Sequence, residues 1–226
     1  MNTDLIAKTR AHITRLAAML FERRLLDAAG GNISARVGDG LICITPRYSG
    51  SKYQWQLAPE QVLVADLSGK ILDGAGEISR EAKVHLKLLN EFPDGGAVIH
   101  AHCQNVLVFC ALAKPIPPVL EDTLKFGEIA MTEFAPAHTE QLAENIAGAL
   151  RGQEARIRQQ AAAAAAPYHG LFCIGKDLDA AFDAVERIDN NARCIILGQI
   201  LKMTGVDMLA GERAALNAGI AAFKKA

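Results

Sequence analysis

The spacing of hydrophobic residues changes along the chain, and these changes mark the predicted elements. Over residues 4–29, apolar side chains recur every three or four positions, which predicts a helix that ends at the glycine pair 30–31. Residues 33–37 instead alternate between apolar and polar, which is typical of a strand with one buried face. The turn residues 38–40 and the apolar segment 41–44 then predict a β-hairpin.

The same spacing rules predict the remaining elements. Short strands are expected at 62–66, 70–72, 97–100 and 170–175, with a weaker one at 127–134. Helices are expected at 80–91, 104–113, 139–151 and 177–201, and again from about residue 205. Short strands with helices before, between and after them predict an α/β fold. Because no linker or repeat divides the sequence, we expect one domain over residues 1–226, with the last helix peripheral.

Six consecutive alanines, Ala161–Ala166, stand out from this pattern because they carry no alternation of apolar and polar residues. Alanine has the highest helix propensity of all residues. Propensity alone therefore predicts a helix that continues to Pro167.

The composition excludes several classes of protein. The chain of 226 residues has a net charge of −1 and a pI of about 6.6, so it lacks the basic character of a nucleic-acid-binding protein. No apolar run approaches the roughly 18 residues that a membrane span needs, so no membrane partner is expected. The five cysteines are scattered and form no CxxC pair, which indicates a reducing compartment and predicts a cytoplasmic protein.

Two of the six histidines, His100 and His102, flank Ala101 at the end of a predicted strand. Residues two apart in a strand point to the same side, so both imidazoles can reach one metal ion. Such an ion needs a third ligand, and His169 is the candidate because Gly170 leaves space around its ring. Taken alone, the pair also fits a surface or hydrogen-bonded role, and His169 alone fits a structural role.

A series of short motifs occurs in a fixed order along the chain. They are GNIS from residue 31, TPRYSG from 45, SRE from 79, HAH from 100 and YHG from 168. This series, over residues 5–202, resembles the class II aldolase/adducin family. The resemblance implies a three-layer α/β/α sandwich around a central, mostly antiparallel sheet. It also implies that residues 163–168 are extended, because tertiary pairing can override helix propensity.

The resemblance further implies a metal-dependent lyase. The family's metal-binding histidines correspond to His100, His102 and His169, so these are the implied ligands of one divalent ion per chain. Zinc is the first expectation, and Mn²⁺, Co²⁺ and Fe²⁺ remain open. The implied reaction is the retro-aldol cleavage of a ketose 1-phosphate, a phosphorylated sugar, through a metal-bound enediolate. Glu81, in the SRE motif, is the implied general acid/base.

A pocket for the substrate phosphate is also implied by the resemblance. Its residues are Asn32, Ser49, Gly50 and Ser79, and Arg80 stands where the family has a second serine. The TPRYSG motif is also two residues longer than the family's usual form. An anion pocket that differs from the family's usual one, beside a set of metal ligands that matches it, suggests a substrate different from those of the family's aldolases. The usual assembly of the family predicts a homotetramer with sites near subunit interfaces.

Alternative functions remain open at this point. A decarboxylase of the same family also leaves an enolate on its metal, so its chemistry is close to that of an aldolase. An epimerase of the family is a further alternative. A non-catalytic, adducin-like binding module is an alternative of another class, and the presence of all three histidines and Glu81 argues against it.

Three further residues lie close to these motifs. His85 follows Glu81 by one helical turn, and a structural hydrogen bond is favoured over a role near the metal. His138 precedes a predicted helix and either caps it or lines the cleft. Cys103 follows His102 directly, but its side chain is expected on the opposite face, so it is a poor ligand.

Overall fold

The computed structural model describes residues 2–38, 40–203, 218 and 221, and within them the central element is an eight-stranded sheet. Its strands are β1 (Asn32–Arg36), β2 (Leu41–Ile44), β3 (Leu63–Asp66), β4 (Ile71–Asp73), β5 (Ala97–Ala101), β6 (Ala130–Met131), β7 (Ala161–Ala166) and β8 (Gly170–Gly175). They lie in the order β4-β3-β2-β1-β5-β8-β7-β6. Neighbours are antiparallel except β6 and β7, which are parallel. The expected α/β fold with a mostly antiparallel sheet is confirmed.

Helices cover both faces of this sheet. They are α1 (Thr3–Glu22), α2 (Ser49–Tyr53), α3 (Ala82–Glu91), α4 (Gln104–Ala111), α5 (Glu140–Leu150), α6 (Glu154–Gln159) and α7 (Leu178–Met203). Buried side chains of α1, α4 and α7 form a core with one face, and those of α3, α5 and α6 form a second core with the other. The result is a three-layer sandwich. No helix in the described part of the chain is both long and apolar enough to cross a membrane.

The alanine run forms β7, so helix propensity gives the wrong structure there. Ala161, Ala163 and Ala165 face the first core, and the alanines between them face the second. Every member of the run is buried, because helices cover both sides of the strand. The strand is Ala161–Ala166, and residues 167–169 form a tight turn instead of continuing the expected extended segment.

The first helix is shorter than its sequence pattern predicts, because it ends at Glu22 and not near residue 29. Arg24 adopts a left-handed conformation with φ 60°, which an α-helix does not tolerate. Leu25 and Leu26 are buried beyond this break and donate their N–H groups to the Leu20 carbonyl. These hydrogen bonds fold the segment after the helix against the last turn of α1. The predicted helix from about residue 205 lies outside the described residues, apart from 218 and 221.

Candidate metal and catalytic site

Three histidines meet at one end of the central strands. His100 is the fourth residue of β5, His102 follows the end of that strand, and His169 lies in the turn between β7 and β8. Their candidate ligand nitrogens all lie within 4.8 Å of one another. The rings of His100 and His102 have centroids 5.0 Å apart, so the two side chains share one side as the strand geometry predicts.

Two contacts fix the orientation of the His100 ring. Its Nδ1 lies 3.0 Å from the carbonyl oxygen of Leu171, and since a carbonyl only accepts, Nδ1 carries the hydrogen. The ring stacks on Phe172, its cross-strand neighbour in β8, with centroids 4.1 Å apart and planes 8° apart. In the neutral ring the lone pair is therefore on Nε2, and this atom is buried without a hydrogen-bond partner among the described residues.

His102 is oriented by a carboxylate that sequence reasoning missed. Its Nδ1 lies 3.1 Å from Asp27 Oδ2, and the other oxygen of Asp27 accepts the N–H groups of Ala29 and Gly30. An aspartate that receives Nδ1–H leaves Nε2 free to bind a metal, which is a common arrangement around zinc ligands. The sequence hides Asp27 inside a segment whose spacing predicts a helix.

Glu81 lies among these rings and is almost fully buried, with 6% of its surface exposed. Its Oε2 is 2.9 Å from His100 Nε2, and its Oε1 is 3.0 Å from His169 Nε2. The same Oε1 is 3.4 Å from His138 Nδ1. Glu81 belongs to the α3 segment but precedes the helix, which begins at Ala82 and not at Arg80 as the sequence pattern predicts.

The donor atoms of this cluster fit a divalent cation. His100 Nε2, His102 Nε2 and Glu81 Oε1 are all buried, and none has a hydrogen-bond partner in the described structure. A lone pair on His100 Nε2 that faces a carboxylate oxygen at 2.9 Å is repulsive unless a positive charge lies between them. Three imidazoles are a ligand set typical of zinc and related ions, so the residues present suit such a group.

The protonation states also suit a metal. Burial opposes the ionisation of Glu81, but positive charge at His100 and His169, together with their contacts, outweighs it and holds the pKa of the carboxyl well below its usual range. With neutral rings, a bound cation would supply that positive charge. Burial, together with the nearby His100, lowers the pKa of His102 to about 4. Neutral imidazole and ionised carboxylate are the forms that bind cations.

A cavity of about 400 Å³ opens above the cluster. It is lined by Glu81, His102 and His169, whereas His100 lies beneath them. All five residues expected to bind phosphate also line it, namely Asn32, Ser49, Gly50, Ser79 and Arg80. The structure therefore brings every residue singled out from the motifs to one place.

A buried network holds the polar wall of this cavity. Asn32 Nδ2 donates to Ser79 Oγ at 2.8 Å, and Asn32 Oδ1 accepts from His85 Nε2 at 2.6 Å. His85 Nδ1 accepts in turn from Ser34 Oγ at 2.7 Å. Burial lowers the pKa of His85 to about 3, so the ring is neutral. This agrees with the structural hydrogen bond favoured for His85 from its spacing.

The longer TPRYSG loop forms the rim of the cavity. Tyr48 is left-handed with φ 67°, and the short helix α2 follows it at Ser49. The guanidinium of Arg47 lies 4.6 Å from the Tyr48 ring centroid and pairs with Glu77. Arg80 is exposed at the same rim and makes no ion pair or hydrogen bond within the described part of the chain.

Comparison with known proteins agrees with this geometry. The family model described as "Class II Aldolase and Adducin N-terminal domain" matches residues 11–196. An L-fuculose phosphate aldolase from Methanococcus maripaludis is 28% identical over 180 residues, which cover 79% of this chain and 91% of that protein. A 3-oxo-tetronate 4-phosphate decarboxylase from Pectobacterium atrosepticum is 25% identical over 198 residues, 84% of each chain. A solved structure of an L-fuculose 1-phosphate aldolase has a TM-score of 0.75 at 26% identity and covers 95% of both chains.

Because the family model spans most of the chain, the protein belongs to the class II aldolase/adducin family. It is an enzyme of this family, and the similar proteins include both aldolases and a decarboxylase. The family identified from the ordered motifs is confirmed.

Proposed function

We propose that the protein is a divalent-metal-dependent lyase that cleaves a C–C bond of a ketose 1-phosphate by a retro-aldol reaction. The observation that carries this proposal is the convergence of three imidazoles on a buried carboxylate at the floor of a polar cavity. The names of the similar aldolases support a phosphorylated sugar as the substrate.

His100, His102 and His169 would hold one divalent ion per chain. Zinc is the first choice because an all-imidazole set suits it, and Mn²⁺, Co²⁺ and Fe²⁺ are the alternatives. When bound, the ion supplies a Lewis acid that stabilises negative charge on the substrate oxygens. The chain's own contribution is to fix the rings, through Leu171, Phe172 and Asp27.

Glu81 would be the general acid/base that moves a proton to and from the substrate carbon. It is ionised at rest and lines the cavity, so its carboxylate can take a proton from a substrate there and exchange it with water when the cavity is open. Its position 2.9–3.0 Å from two of the imidazoles supports this role, because a substrate bound at the same cluster would have its reacting carbons close to the carboxylate.

Asn32, Ser49, Gly50, Ser79 and Arg80 would bind the phosphate. Ser79 Oγ already accepts N–H groups from Asn32 and Glu81, so its own hydroxyl hydrogen is free to donate to an anion. Arg80 adds an unpaired positive charge at the rim. Hydrogen bonds between charged groups are stronger than neutral ones, so this arginine compensates for the missing serine.

A decarboxylase is the second candidate, and the observation that favours it is the pair of arginines at the cavity rim. Arg47 is paired with Glu77 whereas Arg80 is unpaired, and a guanidinium matches a carboxylate in bidentate geometry. The decarboxylase among the similar proteins supports the same reading. Product analysis separates the two, because only decarboxylation releases carbon dioxide.

We also retain a homotetramer in the cytoplasm as a proposal. Exposed apolar side chains near the cavity, such as Phe134 and Tyr168 with centroids 6.0 Å apart, support a subunit interface beside the site.

The test begins with metal content measured by elemental mass spectrometry on protein purified without chelator. We expect about one divalent ion per chain, and its loss in His169→Ala but not in His12→Ala, whose ring lies at the surface beside Asp179. L-Fuculose 1-phosphate and related ketose 1-phosphates are then assayed for release of a three-carbon ketone phosphate. No metal uptake from zinc or manganese would refute the proposal.

A further inference from the structure

His138 is the one histidine of the cavity that neither binds the expected ion nor makes a hydrogen bond within the described residues. Its Nδ1 is buried and lies 3.4 Å from Glu81 Oε1. The rest of the ring reaches the cavity, where 36% of the side chain is exposed. The ring therefore has one nitrogen toward the buried carboxylate and the other toward the space for the substrate.

The backbone at this position is strained. His138 has φ 68°, a left-handed conformation that costs a non-glycine residue roughly 1 kcal/mol or more. The neighbouring Thr139 already provides the N-cap of α5 by accepting from Leu142 N–H, so His138 is not needed as a cap. Strain of this kind persists where the surrounding structure holds a side chain in a position of use.

Retro-aldol cleavage needs two proton transfers at different atoms. The hydroxyl on the departing carbon loses a proton while its C–O bond becomes a carbonyl, and the electron pair of the broken C–C bond stays on the ketone fragment. The carbon that keeps this pair then gains a proton. Glu81 serves the second atom in the proposed function, which leaves the hydroxyl proton without an acceptor among the residues assigned so far.

We propose, on the basis of that function, that His138 is a further catalytic residue that accepts the hydroxyl proton at Nε2 and passes the proton on Nδ1 to Glu81. The protonated Glu81 then delivers a proton to the carbon of the ketone fragment. One proton leaves the hydroxyl and one reaches carbon, so charge and atoms balance without an outside acid or base. The ring returns to its first tautomer by exchange with water at its exposed edge.

Other polar groups at the cavity are less suited to this step. Asp27 is committed to His102 and to two backbone N–H groups. Arg47 and Arg80 stay protonated and cannot accept a proton. The charged groups that face His138 are Glu81, His169 and these two arginines. Burial lowers the pKa of His138, and the two arginines add to this against the opposing charge of Glu81, so the neutral ring, which is the form that can accept, is favoured.

The experiment separates the two proton transfers with one probe, dihydroxyacetone phosphate, the three-carbon ketone of the reverse reaction. In D₂O, exchange of its C–H proton needs Glu81 alone, whereas condensation with a panel of aldehydes needs both residues. The variants are His138→Asn, which tolerates the left-handed backbone, and His138→Gln. His12→Asn, at the surface, is the matched control.

We expect both His138 variants to keep the wild-type metal content and C–H exchange within about threefold, while condensation falls by about 10²–10⁴-fold, the range for a lost general acid/base. Equal losses of exchange and condensation would make His138 a support for Glu81 and overturn the proposal. Unchanged condensation would overturn it as well. A wild type that shows neither exchange nor condensation would instead refute the proposed function itself.

Discussion

Replacing Gly30 by alanine should remove metal binding without unfolding the protein. A Cβ added at Gly30 would lie 2.1 Å from Cε1 and 2.4 Å from Nε2 of His102. Carbon atoms in contact stay about 3.5 Å apart, so the ring must retreat by about 1.4 Å. Zinc–nitrogen distances vary by only about 0.2 Å around 2.0–2.1 Å. The displaced ring can therefore no longer be a ligand.

The effect on folding should be small. The backbone of Gly30 is outside the left-handed region, so alanine fits its conformation. His102 is partly exposed and can swing aside, at the cost of its contact with Asp27, about 1–3 kcal/mol for a charged hydrogen bond. Lower entropy of the unfolded chain offsets about 0.4–1 kcal/mol of this. We expect the metal-free variant to lose about 1–2 kcal/mol of unfolding free energy.

The assay compares metal affinity by competition with a chromogenic chelator, and unfolding of the metal-free proteins by urea. Loss of a residue that only supports a metal ligand lowers metal affinity by about 10–100-fold. Loss of the ligand His102 itself should cost more, so we expect metal affinity to fall by more than about 100-fold. Gly148→Ala is the matched control, since its Cβ would meet only Arg151 at an ordinary 3.7 Å. Wild-type affinity in Gly30→Ala would show that His102 is not a ligand, and the ligand set would have to be abandoned.

Three further results follow from the contacts around the site. Asp27→Asn should lower metal affinity by about 10–100-fold, because the amide no longer fixes the His102 tautomer; equilibrium dialysis tests this, and an unchanged affinity would contradict it. Burial lowers the pKa of His85 from 6.5 to about 3, so between pH 3 and 6.5 the imidazole is protonated in the unfolded chain but not in the folded one. The free energy of unfolding should therefore fall by about 1.4 kcal/mol for each pH unit below 6.5. In His85→Gln the free energy of unfolding should depend less steeply on pH. Ala164→Leu should cost about 1–3 kcal/mol in urea unfolding, because the strand has helices on both sides, and a neutral effect would mean unfilled space there.

Alternation of apolar and polar residues predicted β1 because only one side of that strand packs against apolar side chains, whereas Ser34 on the other side is buried in a hydrogen bond to His85. Ile33, Ala35 and Val37 all face the first core, as their spacing predicts. The alanine run has no such contrast, because a strand that is buried on both faces needs none. Local preference then favours the helix, and the pairing of β7 with β8 on one side and β6 on the other overrides it.

The ligand histidines were predictable because their spacing follows the geometry of a strand. Asp27 and His138 were not predictable to the same degree, since each reaches the site through an irregular backbone. Asp27 depends on the left-handed break at Arg24, and His138 on its own left-handed conformation. Neither position carries a glycine that would mark the turn in the sequence.

The all-alanine strand also has a consequence for the alignment of the sheet. A slip of β7 by two residues against β8 would leave the same methyl groups on the same faces, so side-chain shape does little to select the pairing. What fixes it is the three-residue connection between Ala166 and Gly170, and this connection contains His169. A residue inserted or deleted there would therefore shift the pairing of β7 with β8 and also move the His169 ring away from the other histidines. The length of this turn is therefore constrained both by the sheet and by the metal site.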